Sequence, residues 1–214
     1  YSGSLSEFLA RDEDAILGEL VSAHPFDIDV LQRGAWQHQI RALKQIAPSL
    51  PPSYVFFEFS IPRMGKRADC IILTEQCVLV IEFKVNVTTF DSAAMDQVHD
   101  YALDLKNFHA GSHNVPIIPI LVATSASKSA LMEAKFAEDM VAQPLQIGEN
   151  NFRAFIVNVL EQSHSAFGAA LIDTVNWANS GYLPTPTIIE AATALYQSHN
   201  VVDIARSDSG AKNL

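Results

Sequence analysis

Two carboxylates interrupt apolar runs that otherwise have the composition of buried β-strand. Asp69 lies inside Ala68-Asp69-Cys70-Ile71-Ile72-Leu73, and Glu82 sits near the end of Val78-Leu79-Val80-Ile81-Glu82-Phe83-Lys84. A carboxylate in such a run is costly unless it is paired or binds a cation. Residues i and i+2 of a strand share a face, so Glu82 and Lys84 point one way while Phe83 points into the opposite layer. Thr74-Glu75-Gln76 is a short turn between the two runs, and hairpin pairing across it brings Asp69 alongside Glu82. Two carboxylates on one face make a hard oxygen site suited to Mg²⁺ or Mn²⁺. An ammonium beside them can orient a water and offset charge developing on a phosphate. On spacing alone, a strand-end salt-bridge cluster accounts for the same three residues and is the commoner arrangement.

The rest of the chain supplies a frame for that pair. Residues 5–22 and 28–47 have helical spacing of apolar residues, the first ended by His24-Pro25 and the second by Pro48. Val55–Ile61 is rich in strand formers, and with Ala68–Leu73 and Cys77–Lys84 it predicts an antiparallel meander. Asp91–His109 reads as a helix with Val98, Ala102, Leu105 and Phe108 on one stripe. Val115–Thr124 is near-continuously apolar, the pattern of a strand covered on both faces. Beyond it, 125–140 fits helix or loop, and Pro144–Ile147 a short strand. Phe152–Gln162 and Ile188–His199 look helical, Asn176–Pro186 looks like a surface connection, and the last residues have linker composition. The expected architecture is α/β: a mixed central sheet, an antiparallel meander plus one or more further strands, flanked by helices and followed by a helical C-terminal extension.

On the helix after the meander, Gln97 and Tyr101 are four apart and share a face bordering the apolar stripe. Both can bond to a phosphate oxygen or to a carboxylate. An amphipathic helix with a rim tyrosine explains them equally well. With that helix added, the order Asp69, Glu82-Phe83-Lys84, Gln97, Tyr101 resembles the PD-(D/E)XK nuclease superfamily, and the Gln-x-x-x-Tyr element is similar to the subset typified by RecB-type nucleases. Glu58–Pro62 with Arg63, Lys66–Asp69, Ile81–Val85, Gln97–His109 and Tyr182–Ala192 also resemble the N-terminal part of bacterial Schlafen-group-three-like DNA/RNA helicases. In that family a P-loop helicase domain follows. This chain has no Gly-x-x-x-x-Gly-Lys-Ser/Thr, so the motor part is outside it.

The resemblance implies a restriction-endonuclease-like core at 28–150, preceded by an N-terminal helix at 1–27. A helical extension and linker at 151–214 would lead toward the helicase. It implies that Asp69 and Glu82 hold Mg²⁺ (or Mn²⁺), with the Phe83 carbonyl as a third ligand. Lys84 would position or activate the attacking water, and Gln97 and Tyr101 would support it. The implied activity is metal-dependent phosphodiester hydrolysis of DNA, or of RNA, in phage defence or repair. The alternative is a catalytically inactive module of the same fold that binds nucleic acid or docks the helicase.

Glu58 would extend the acidic cluster, or else is a strand-edge acid paired with Arg63 or Arg67. Arg63, Lys66 and Arg67 would touch a phosphate backbone, or else form an exposed hairpin tip. His109 and His113 lack an evident third ligand for zinc. Asp96, Asp100 and Asp104 read as a solvated face, and Trp36 and Phe56 as core.

Composition limits the partners. The formal charge is −10, from 14 Lys+Arg against 24 Asp+Glu, which argues against strong free-standing nucleic-acid binding and for affinity borrowed from a partner. Two cysteines are too few for a disulfide framework, which suggests a reducing cytosol. No apolar stretch approaches the roughly 20 residues of a membrane span, and no basic-then-apolar leader opens the chain.

Overall fold

A computed structural model describes residues 1–24, 29–61, 65–127, 133–168 and 172–185. Six strands form one mixed sheet in sequential order: β1 (Ser2–Ser4), β2 (Ser53–Ser60), β3 (Arg67–Thr74), β4 (Val78–Lys84), β5 (Ile117–Ala123) and β6 (Leu145–Gly148). The first four pair antiparallel, while β4–β5 and β5–β6 pair parallel. The reversal of sense at β4 follows from its connections. A three-residue turn joins β3 to β4, whereas helix α4 (Ser92–Phe108) carries the chain from β4 back to the start of β5. The architecture is therefore α/β, with a six-stranded mixed sheet flanked by helices.

Helices α1 (Leu5–Ala10), α2 (Glu13–Ala23), α3 (Val30–Ile46) and α5 (Phe152–Phe167) cover one face. Their Phe8, Ile16, Trp36, Ile40, Leu43 and Phe155 pack with Val55, Phe57, Ile72, Leu79, Ile81 and Ile120. Helix α4 and the short α6 (Thr174–Asn179) cover the other, where Val98, Ala102, Leu105 and Trp177 meet Phe56, Ile71, Val80 and Leu121. Strands β3–β5 are buried on both faces, as their near-continuous apolar sequences require.

Several boundaries differ from the sequence reading. The expected N-terminal helix is two helices behind a strand. Ser4 makes a capping box with Glu7, Asp12 caps α2 through the Asp14 N–H, and the chain breaks between them at Arg11. Ser2-Gly3-Ser4 carries no strand formers, yet pairs with Tyr54–Phe56 while Tyr1 packs on Phe8 and Phe57. No helix forms at 125–140 among the described residues; a bridge joins Phe136 to Ala142 instead. The stretch expected as a surface connection begins inside α6, whose Trp177 is buried. The following residues bond to the end of α4 through Ala110 N–H to Gly181, Leu183 N–H to Phe108 and Thr185 N–H to Asn107 carbonyls. Segments before 28 and after 150 thus pack into the same cores as the central region. The expected helix at Ile188–His199 and the terminal linker lie outside the described residues. Among those residues, no helix is long and apolar enough to cross a membrane.

Candidate active site

The sheet loses its regular pairing at one level, and the acids gather there. On β2, Phe57 pairs with Cys70 and Phe59 with Ala68, but Glu58 and Asp69 between them are not a paired rung. Glu58 has a left-handed backbone, φ 53°, a conformation that glycine adopts freely and a glutamate adopts at a cost. This kink reverses the alternation: Phe56 and Phe59 face the α4 layer, while Glu58 turns toward α3 and its Oε1 accepts a bond from Trp36 Nε1 at 2.7 Å. The β3–β4 ladder ends at Cys70–Ile81, one step before Asp69 would meet Glu82.

Asp69 reaches its neighbour by a different route from ordinary strand pairing. Its Oδ2 accepts the Phe83 N–H at 2.9 Å, so the carboxyl lies against the Glu82–Phe83 peptide, and it also accepts Gln39 Nε2 from α3 at 3.2 Å. Although Asp69 keeps a little exposed area, its carboxyl is enclosed by protein. Desolvation first, and then the Glu82 charge, push its pKa up to about 8 against the pull of the Phe83 N–H. Glu82 is only 4% exposed, and burial raises its pKa despite Lys84. Its Oε1 accepts Lys84 Nζ at 3.0 Å, whereas its buried Oε2 has no hydrogen-bond partner.

Lys84 also donates to Gln97 Oε1 at 3.1 Å, and Gln97 Nε2 donates to Tyr101 Oη at 2.7 Å. Burial works against the Lys84 charge, but Glu82 and Asp69 outweigh it and hold the ammonium protonated above its ordinary range. Burial raises the Tyr101 pKa as well. Glu82, Lys84, Gln97 and Tyr101 thus form one hydrogen-bonded chain on the α4 side, while Asp69, held by the Phe83 N–H and by Gln39 on the α3 side, is coupled to it only through charge. Phe83 sends its ring the other way, against Phe152, as the strand period requires.

The accessory residues separate. Glu58 pairs with Arg67 at 3.7 Å and influences both Asp69 and Glu82. Lys66 pairs with Asp104 at 2.9 Å, so that aspartate is engaged rather than simply solvated. Arg63 lies outside the described residues. His109 is not a zinc ligand: Ser112 and Ser180 hydroxyls occupy its two ring nitrogens at 2.8 and 3.0 Å. Trp36 is core and also the donor to Glu58. Gln39, 3% exposed, was not legible as a site residue, though its place among Trp36, Ile40 and Leu43 on a buried stripe was the available signal.

Two mutually repelling carboxylates, a single ammonium and an unpartnered buried oxygen together lack positive charge. The donor set is hard oxygen, which fits Mg²⁺ or Mn²⁺. Among the described residues, no group of three His, Cys, Asp or Glu side chains forms a ready cation cage, so a cation here would rest on Asp69, Glu82 and non-carboxylate oxygens. No family model, curated protein or solved structure matches the chain.

Proposed function

We propose that this chain is a metal-dependent phosphodiesterase: a nuclease module with a restriction-endonuclease-like core, acting on DNA or RNA beside a helicase domain. The observation that carries this reading is the buried, unpartnered Glu82 Oε2, on a carboxyl that holds Lys84 and feels the charge of a second enclosed carboxyl, Asp69. A structural salt bridge needs one acid and one base, and a second acid held at a raised pKa is wasteful in it. The same excess suits a Mg²⁺ or Mn²⁺ held by Asp69 and Glu82, with the Phe83 carbonyl as the expected third ligand. When bound, that ion supplies Lewis-acid help to the phosphoryl group and a more acidic water.

The chain's own groups do the rest. Phe83 N–H and Gln39 fix the Asp69 carboxyl, and the Gln97–Tyr101 pair fixes Lys84 from the side opposite α3. Lys84 Nζ, held protonated, is placed to orient an attacking water and to offset charge on the phosphate oxygens. Substrate affinity must come largely from elsewhere. Arg11, Arg41, Lys66, Arg67 and Lys84 each face a carboxylate already, which suits a module fed by a motor domain.

The test is Mg²⁺- or Mn²⁺-dependent cleavage of plasmid, single-stranded DNA and RNA by wild type, Asp69→Ala and Lys84→Ala. Activity should vanish in both variants. A wild type that binds nucleic acid but cleaves nothing with either ion replaces this reading with that of a binding or docking module.

A further inference from the structure

The carboxyl ends of the three parallel strands lie level. Lys84 pairs with Ala123, and Ala123 with Gly148, forming one row across β4, β5 and β6. Crevices outside such strand ends are where open α/β sheets receive ligands. Glu149 follows directly, two strand spacings (about 10 Å) along the row from Lys84. Its Oε2 lies 2.6 Å from His38 Nε2. His38 belongs to the same stretch of α3 that contacts the acids, since Trp36 holds Glu58 and Gln39 holds Asp69. One helix therefore registers the candidate metal centre and the His38–Glu149 pair against each other.

Beside this row lies a cleft of about 580 Å³ walled by Val30, Leu31, Gly34, His38, Val85 and Asn86. Val85 and Asn86 directly follow Lys84. The loop they form is pinned to the end of β5: Asn86 N–H donates to Thr124 Oγ1 at 2.8 Å, and Thr124 N–H to the Lys84 carbonyl at 3.1 Å. Val30 and Leu31 are 86% and 83% exposed on the other wall, two adjacent aliphatic side chains in open water. The cleft thus offers an apolar wall, an imidazole and the Gln32 amide, with Asp29, whose carboxylate caps α3 through the Gln32 N–H, also in its lining, and it begins one residue past Lys84. Its volume is that of a small-ligand site.

We propose that this cleft is the subsite for one nucleotide of an unpaired polynucleotide strand, next to the scissile phosphate. With its Nε2 held by Glu149, His38 donates to that nucleotide's phosphate through Nδ1, and Val30 and Leu31 lie against its base. The proposal rests on the phosphodiesterase reading and adds a substrate class to it. An aliphatic contact to a base face is sequence-tolerant, as single-strand binding sites are.

Gly34 provides a clean block, because a Cβ there meets no atom within 4 Å; a leucine side chain would fill the cleft without disturbing the helix. The probe is fluorescein-labelled oligodeoxyuridylate or oligouridylate, which differ only in the sugar, titrated into the full chain carrying Lys84→Ala, in Mn²⁺, by fluorescence anisotropy. Unlabelled duplex is the competitor. In that background, Gly34→Leu, His38→Gln and the double change Val30→Ser with Leu31→Ser should each weaken strand binding at least tenfold. For Gly34→Leu the thermal midpoint should hold or rise, because glycine is a poor helix former, and the Mn²⁺ affinity by electron spin resonance should not change. The tighter of the two strands identifies the sugar.

Unchanged strand binding in Gly34→Leu overturns the proposal, as does equal competition by duplex or failure of both strands to bind. If His38→Gln and Glu149→Gln lower only the midpoint, the pair is a latch and the proposal falls. Failure of wild-type cleavage with cleft-dependent strand binding intact would remove the hydrolase reading alone.

Discussion

Asp69→Asn should make the metal-free protein more stable, and the gain should grow with pH. The folded protein holds the Asp69 carboxyl at about 8 against an ordinary 3.8. An acid raised in this way binds its proton in the folded state and releases it in the unfolded state throughout that window. The unfolded chain then carries fewer protons, so stability falls as pH rises from about 4 to about 8 and is level on either side. At pH 7 roughly three pH units of the window have been crossed, at about 1.4 kcal/mol each, which sets a ceiling of about 4 kcal/mol on the cost.

Asparagine removes that cost while its amide oxygen still accepts the Phe83 and Gln39 donors. Allowing for relaxation and water entry at the fork, the expected gain is about 2 kcal/mol at pH 7, close to zero at pH 4, and larger at pH 8. Urea unfolding of wild type and variant at matched pH values reads this directly, as a gap between midpoints that widens with pH. Mn²⁺ should then reverse the order: an ion at a hundred times its dissociation constant adds about 2.7 kcal/mol to wild type and little to the variant. A variant that is less stable than wild type at pH 7, or a gap that ignores pH, would refute the picture of a site short of positive charge.

Other consequences can be checked separately. Gln39→Leu removes the α3 donor to Asp69 and should cost about 1–2 kcal/mol in urea unfolding; an unchanged midpoint would show that the bond is not made. Trp36→Phe keeps most of the core volume but leaves Glu58 without its indole donor, and should destabilise by about 1–3 kcal/mol. Gly111→Ala places a Cβ 2.7 Å from Ser180 Oγ and 3.0 Å from the Trp177 backbone; it should lower the thermal midpoint by an amount equivalent to about 1–3 kcal/mol. Burial first, and then the nearby His113, depress the His109 pKa to about 4. The unfolded histidine takes up its proton earlier, so this residue withdraws stability as pH falls from about 6.5 toward 4. An NMR titration placing His109 near 6.5 in the folded protein would contradict it.

The sequence made the acids conspicuous because apolar strands tolerate few charges, and that same rule located β2 to β5 within one or two residues. It located α4 as well, since Asp91 both caps that helix and opens its apolar stripe. What was not legible depends on partners distant in the chain. Ser2-Gly3-Ser4 becomes a strand only because Tyr54–Phe56 offers an edge. The N-terminal helix breaks because Asp12 competes for the backbone as a cap. The residues at 174–179 form a helix because Trp177 has a pocket between Phe56, Phe59 and His109 to fill. Gln39 and the His38–Glu149 pair carry no periodic mark, because a polar side chain on a helix declares its purpose only when its partner is known.

The fork itself explains why the acids can be where they are. A regular ladder through Glu58, Asp69 and Glu82 would have made the three a single cross-strand row on one face, crowding three carboxylates into the apolar α4 layer beside Phe56, Ile71 and Val80. Instead three irregularities fall at one level: a left-handed Glu58, a missing Glu58–Asp69 rung, and a β3–β4 ladder that stops at Cys70–Ile81. Each gives up backbone pairing or accepts strain, and none helps the fold by itself. The doubly buried remainder of β3, β4 and β5 is long enough to carry that loss. Strain and unmet charge gathered at the ends of the best-packed strands are what a binding centre demands and what a salt bridge evolved for stability would avoid.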